Sequence, residues 1–160
     1  MNAIELLKQQ HREVEKLFKG IEKAGPDEKE KLFDELADAL AVHAAIEEQH
    51  FYPATKDART EELLQEAVEE HLSVKRIIAD LLEMEPDDAQ FDAKMTVLQE
   101  QVEHHVEEEE GELFPKVKKL LGKDALDALE QEMTATREEL MEEGDPREAV
   151  PAETDEAARI

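Results

Sequence analysis

The sequence predicts an all-α protein, an antiparallel up-down four-helix bundle with a short connector and a fifth C-terminal helix. Apolar residues recur at three- and four-residue spacing in successive segments, which is the period of a helix with one buried face. Glycine or proline separates these segments, and none of them alternates as a strand does. The second pair of segments also repeats the pattern of the first pair, so the two halves of the bundle are expected to be built alike.

The first two helices have clear boundary signals. Asn2 is placed to cap the first helix, and Gly25-Pro26 ends that helix and begins the second. The second helix is predicted from about Asp27 to Phe51. Pro53 should stop it, because proline removes a helix hydrogen bond and its ring clashes with the preceding turn.

The remaining helices follow the same logic. Thr60 is expected to cap the third helix, which ends at the turn around Pro86. The fourth helix begins near Asp88 and is expected to bend or end where Gly111 and Pro115 weaken it. A short helical connector then leads to a fifth helix from Lys123 to Glu143, which should pack against the bundle.

The length of 160 residues fits one domain with one core. Residues 1–143 carry the helical segments and are predicted to form the bundle domain. From Gly144 to Ile160 prolines and charged residues are frequent and apolar residues are few, a composition typical of a mobile segment. We therefore expect residues 144–160 to be an acidic disordered tail.

The charge and the cysteine count restrict the possible partners. The chain has 44 acidic and 19 basic residues and a formal net charge of −25, which opposes binding to nucleic acid and to anionic membrane surfaces. No apolar run is long enough to span a bilayer, and the start lacks the features of a signal peptide, so a cytoplasmic location is expected. There is no cysteine, so any metal site must use imidazole and carboxylate ligands.

Two nearly identical stretches carry the strongest functional signal. Residues 43–53 and residues 105–115 both read histidine, three residues, two glutamates, three residues, an aromatic residue and proline. Residues four apart on a helix share a face, so His43 pairs with Glu47 and His105 pairs with Glu109. Each pair offers one nitrogen and one oxygen ligand to a common point.

Each half of the chain also places one histidine on the apolar face of its first helix, His11 and His71. A single histidine at such a position is most often a hydrogen-bonded core residue. Four histidines and two glutamates at matched positions would instead form a costly polar layer in the core, unless metal ions bind them. The sequence therefore predicts a two-metal site, and these ligand types suit iron, manganese, zinc or copper.

Other polar residues near the motifs are not expected to be ligands. His50 and His104 have no histidine counterpart in the other half, so we interpret them as an edge-of-core and a flanking residue. Glu48 and Glu110 are rotated by about 100° from the ligand face and should meet solvent or support the ligands from outside. Lys75 lies one turn after His71, and its ammonium group is not a metal ligand.

This arrangement resembles the hemerythrin-like domain, also called the HHE cation-binding domain. The resemblance covers nearly the whole chain and implies two non-haem iron ions, a di-iron pair with an oxo or hydroxo bridge, inside a four-helix bundle. It implies that Glu47 and Glu109 bridge the two irons. The histidines would divide into two sets: His11 and His43 on one iron, and His71 and His105 on the other.

The chain is most similar to bacterial stand-alone members of that family. Oxygen-carrying members have a histidine where this chain has Lys75, and they place the fourth-helix carboxylate one residue later than Glu109. The bridged pair would keep an open position on each iron, which suits dioxygen, peroxide or nitric oxide. We expect a protein that reduces or disproportionates peroxide or dioxygen, as a peroxidase, a catalase-like enzyme or a ferroxidase.

The alternative is a module that binds, senses or stores oxygen, nitric oxide or iron without turnover. The expected partners are these small molecules and an electron donor that the sequence does not identify. The protein is expected to be a monomer or a weak homo-oligomer.

Overall fold

The computed structural model describes residues 1–160 and is helical throughout, which confirms the all-α class. The α-helices are α1 (Ala3–Lys23), α2 (Pro26–Ile46), α3 (Tyr52–Ala54), α4 (Glu61–Leu82), α5 (Phe91–Glu108), α6 (Phe114–Leu120) and α7 (Lys123–Glu143). Single π-helical turns over Glu47–Phe51 and Glu109–Leu113 join α2 to α3 and α5 to α6. A 3-10 helix over Pro146–Glu153 follows α7. None of the helices combines the length and the hydropathy needed to cross a bilayer.

The helix starts follow the sequence signals in one case and depart from them in another. The side chain of Asn2 accepts a hydrogen bond from the backbone N–H of Glu5 at 2.9 Å, and the Glu5 carboxylate accepts one from the backbone N–H of Asn2 at 3.2 Å, which completes a capping box. Thr60 makes no such cap on α4. Its hydroxyl donates instead to the carbonyl of Thr55 at 2.7 Å and so closes the loop before the helix.

The bundle holds two apolar clusters with a polar layer between them. On α1, residues up to Leu7 belong to one cluster and residues from Val14 onward belong to the other. The same division recurs on α2 and α4, whereas α5 contributes only to the second cluster and the residues from Leu113 to Val117 that follow it contribute to the first. Helix α7 packs against α1 and α2 through Leu126, Leu129 and Met133, as predicted for the fifth helix. The polar layer is therefore enclosed by apolar side chains from above and below.

The two π-helical turns are features that the periodicity did not predict. The backbone N–H of Tyr52 donates to the carbonyl of Glu47, and that of Phe114 donates to the carbonyl of Glu109, each spanning five residues. The wider turn lets the chain stay helical through Pro53 and Pro115, whose rings would clash in an ordinary turn. After Pro53 the helix ends at Ala54, close to the predicted stop, whereas after Pro115 it continues to Leu120.

The C-terminal segment is ordered, in contrast to the disordered tail predicted for residues 144–160. Gly144 adopts φ +83, a left-handed conformation open to glycine, and turns the chain back at the end of α7. The following 3-10 helix packs against α2 and α4 and buries Val150. Arg147 pairs with Asp38 at 3.0 Å and Lys75 pairs with Glu153 at 3.0 Å, so buried apolar surface and ion pairs hold a segment whose composition alone suggested mobility.

Candidate metal centre

The six predicted ligand residues come together in the polar layer. Two groups of side chains lie close enough to share an ion: His11, His43 and Glu109, and Glu47, His71 and His105. All six are buried. The imidazole Nε2 atoms point inward, and those of His71 and His105 lie 3.3 Å apart.

Each central carboxylate lies among histidines from both halves of the chain. Oε1 of Glu47 lies 3.1 Å from Nε2 of His43 and 3.1 Å from Nε2 of His71. Oε1 of Glu109 lies 3.1 Å from Nε2 of His11, and its Oε2 lies 3.4 Å from Nε2 of His105. A carboxylate between two sets of histidines is in the position that a bridging ligand requires.

Two buried polar atoms in this layer have no hydrogen-bond partner. They are Nε2 of His43 and Oε2 of Glu47. The Nε2 atom lies near Oε1 of Glu47, but the two atoms are not aligned for a hydrogen bond. An unpaired buried acceptor or donor is costly, and a bound cation would satisfy both atoms. The donor set, imidazole nitrogen and carboxylate oxygen, also fits iron.

The outer nitrogen of every candidate histidine is held by a side chain. Nδ1 of His11 donates to Glu110 at 2.6 Å, and Nδ1 of His71 donates to Glu48 at 2.7 Å. The other two contacts follow the same pattern: Nδ1 of His43 donates to Gln10 at 2.6 Å, and Nδ1 of His105 donates to Glu70 at 2.7 Å. These bonds place the proton on Nδ1 and leave Nε2 free to coordinate.

The charges of the layer compensate one another. Burial alone lowers the pKa of His43, but the nearby carboxylates of Glu47 and Glu109 outweigh it and raise the pKa to about 9. Burial raises the pKa of Glu109, but His105 and its neighbours outweigh it and hold that pKa well below its usual range. The carboxylates therefore favour the protonated form of His43 when no metal is bound, and metal binding at its Nε2 would replace that proton.

The comparisons with known proteins agree with this geometry. The family model of the Hemerythrin HHE cation binding domain matches residues 2–117. The chain belongs to this family. A crystal structure of an HHE cation binding domain-containing protein from Mycobacterium kansasii has a TM-score of 0.77 and 27% sequence identity, and the match covers 99% of this chain and 95% of that one.

A second relative is much longer than this HHE domain. A protein named DNA nickase, from Nostoc sp., is 24% identical over 143 residues, which make up 89% of this chain and 41% of the nickase. The chain thus spans less than half the length of that relative. The similarity therefore does not assign to this chain the activity given in that relative's name.

Tyr52 is a member of the HHE domain's polar layer that the sequence reasoning missed. It is fully buried, and its hydroxyl donates to Oε2 of Glu109 at 2.7 Å. The hydroxyl oxygen of Tyr52 also lies 3.3 Å from Nε2 of His71 and 3.3 Å from Nε2 of His105. Burial and the charges of Glu109 and Glu47 raise the Tyr52 pKa well above its usual value, so the hydroxyl keeps its proton. The repeated aromatic-proline ending marked this position, but periodicity did not show that it faces the ligands.

Lys75 supports the layer from outside. Its ammonium group is mostly buried and lies 3.0 Å from Oε1 of Glu48 and 3.0 Å from Oε1 of Glu153. Burial lowers the Lys75 pKa, but these two carboxylates outweigh it and raise the pKa above its usual value. The group is therefore charged, and it links the carboxylate that holds His71 to the C-terminal segment.

The remaining candidates lie outside the cluster. Nε2 of His50 lies 2.6 Å from the hydroxyl of Thr136 on α7. His104 is largely exposed and lies 3.1 Å from Glu108. Glu48 and Glu110 were predicted either to face solvent or to support the ligands from outside. In the structure both support histidines, since Glu48 contacts His71 and Glu110 contacts His11.

Proposed function

We propose that this HHE domain holds two non-haem iron ions and reduces or disproportionates small oxidants, hydrogen peroxide or dioxygen. The observation that carries the proposal is the convergence of four buried Nε2 atoms on two shared, buried carboxylates. His11 and His43 would hold one ion, and His71 and His105 the other. Glu47 and Glu109 would bridge them.

A bound pair of iron ions supplies a two-electron redox couple at a site open to a small ligand. The residues of the chain provide the remaining requirements. The Nδ1 contacts fix the direction and tautomer of each imidazole, which is the usual role of such outer partners. The hydroxyl of Tyr52 keeps a proton at the centre of the layer, within reach of a ligand bound there. The apolar clusters on both sides exclude bulk water.

Disproportionation is the form of the reaction that the chain supports best. One peroxide molecule is then oxidised to dioxygen while another is reduced to water, so no outside reductant is needed. Reduction of peroxide alone requires electrons from a separate donor. The chain has no cysteine that could supply them.

A module that binds oxygen, nitric oxide or iron without turnover is the second candidate. It is favoured by the apolar lining of a small cavity beside the histidines, which suits an uncharged diatomic molecule. A nucleic-acid substrate is not part of the proposal, because a net charge of −25 repels phosphate.

Metal content and turnover test the proposal together. Protein purified from iron-replete cells should contain about two iron ions per chain, as the two matched half-sites require. It should also consume hydrogen peroxide and release dioxygen, measured with an oxygen electrode. Iron at that ratio without peroxide consumption would favour the binding module. At most one metal ion per chain would overturn the two-metal site.

A further inference from the structure

A small cavity lies directly beside the candidate metal ligands. Its volume is about 40 Å³, and the four histidines form one side of it. Apolar side chains from α1, α2, α4 and α5 form most of the rest. The C-terminal segment contributes one residue, Val150, which is 3% exposed.

Val150 covers the cavity at a place where α2 and α4 present small side chains. The neighbouring wall residues are Ala41 and Ala44 on α2 and Val74 on α4. The 3-10 helix that carries Val150 packs against both of these helices. The side chain therefore forms part of the cavity wall where the 3-10 helix lies against α2 and α4.

Polar contacts on both sides of Val150 hold it in place. The backbone N–H of Arg147 donates to Asp38 at 2.9 Å. On the other side, Lys75 pairs with Glu153, and Nε of Arg76 donates to the carbonyl of Thr154 at 2.9 Å. The segment is thus fixed to α2 before Val150 and to α4 after it.

We propose that Val150 is a specificity-determining residue: it sets the size limit for uncharged molecules that reach the histidine nitrogens through this cavity. The proposal rests on the proposed function, because it supplies a route to that same site. Larger solutes would be excluded, since the space admits only a few atoms, and uncharged molecules would be favoured, since apart from the histidines and Lys75 the lining is apolar.

A groove between α1 and α5 is the competing route. It reaches His11 and is bordered by the charged residues Arg12, Glu15, Glu103 and Glu107. Val106 lines both this groove and the cavity. The two routes predict different sensitivity to substitutions at Val150 and Val106.

Xenon binding tests the cavity without any metal, because xenon enters small apolar cavities. We expect xenon to bind the metal-free protein, to bind Val150→Ala more tightly and to bind Val150→Leu weakly, as read by ¹²⁹Xe NMR. Ala152 is exposed on the same 3-10 helix, so Ala152→Leu is the matched control and should behave as the unmodified protein. Equal xenon binding in all four proteins would overturn the role of Val150 in sizing the cavity.

Nitric oxide binding to the reduced, iron-loaded protein tests the route. Val150→Ala should speed binding by about tenfold, because removing two buried methyl groups widens the space beside the histidines and lowers the barrier to entry. Val150→Leu should slow it, and Ala152→Leu should not change it. Unchanged rates in both Val150 variants, with a changed rate in Val106→Leu, would assign access to the α1–α5 groove and overturn the proposal.

The two experiments separate the failure of this inference from the failure of the proposed function. A protein that takes up no iron would contradict the proposed function, whereas the xenon series still decides whether Val150 sizes the cavity. Thermal unfolding of each variant shows whether the C-terminal segment stays in place. If Val150→Ala melts at the same temperature as the protein lacking residues 144–160, faster access would result from loss of the whole segment. That result would count against a specific role of Val150 in setting the size limit.

Discussion

The amide oxygen of Gln10 accepts a hydrogen bond from Nδ1 of His43 at 2.6 Å. In the second half of the chain the matching contact joins His105 to the carboxylate of Glu70, at 2.7 Å. Gln10 and Glu70 each precede the histidine of the first helix in their half. The His11–His43 pair of candidate ligands therefore has a neutral amide at the position where the His71–His105 pair has a carboxylate.

This difference predicts that the His71–His105 set binds metal more tightly than the His11–His43 set. A carboxylate partner makes an imidazole a stronger ligand than a neutral amide does, and outer partners affect metal affinity by about 10–100-fold. Gln10→Glu should strengthen the weaker site, and Glu70→Gln should weaken the stronger one. Stepwise metal titration by calorimetry measures both affinities.

The reciprocal pair of variants provides its own control. Both change a charge by one unit, so a general charge effect would strengthen or weaken both sites together. Equal affinities in the unmodified protein, unaffected by either substitution, would show that the outer asymmetry has no influence.

The central carboxylates should each control both metal ions. Glu47→Ala and Glu109→Ala are expected to lower total metal content below one ion per chain, because each residue contacts histidines of both sets. Glu107→Ala is the control, since Glu107 is exposed and lies two residues before Glu109 in the chain. Loss of one ion only, measured by elemental analysis, would assign the affected glutamate to a single site.

Most of the site could be predicted from the sequence, because helical spacing fixes which face a residue occupies. The repeated His-x-x-x-Glu pairs and the stripe positions of His11 and His71 were enough to place six residues in one layer. The outer partners were harder to predict. Gln10 and Glu70 contact histidines on other helices, and such contacts depend on how the helices pack rather than on periodicity within one of them.

Local packing also explains the features that were not predicted. The π-helical turns after Glu47 and Glu109 add a residue to the turn, which shifts every later residue around the helix axis. An α-helical phase therefore misplaces Tyr52. The C-terminal segment has a polar, proline-containing composition, and its order depends on the buried Val150 and on ion pairs that join residues distant in sequence.

Removing the C-terminal segment should destabilise the protein. Arg147→Ala breaks a partly buried ion pair with Asp38 and should lower the free energy of unfolding by about 1–3 kcal/mol. Deletion of residues 144–160 should lower it further, because it also exposes the apolar surface under Val150. Chemical denaturation measures both. Arg159→Ala is the control, since Arg159 is exposed and contacts only Glu156 in a weak pair at 3.6 Å.

Tyr52→Phe should separate turnover from metal binding. The substitution keeps the buried ring and removes the hydroxyl that donates to Glu109. We expect metal content to stay close to that of the unmodified protein and peroxide consumption to fall, because a proton held at the centre of the layer is lost. Thermal unfolding checks that the core is intact. Full turnover in this variant would exclude a proton-donating role for Tyr52.

Lys75 supplies the last prediction, because two variants at this position distinguish two effects. Lys75→Met removes the cation from Glu48 and Glu153 without adding a ligand, whereas Lys75→His places an imidazole one turn after His71. Both should lower the unfolding temperature, since both remove the ammonium group that contacts Glu48 and Glu153. Only Lys75→His should also slow peroxide consumption, by giving one metal an additional nitrogen and leaving less room for peroxide. Stopped-flow assays with equal metal loading compare the two variants. Equal slowing in both would mean that Lys75 acts through Glu48 and His71 alone.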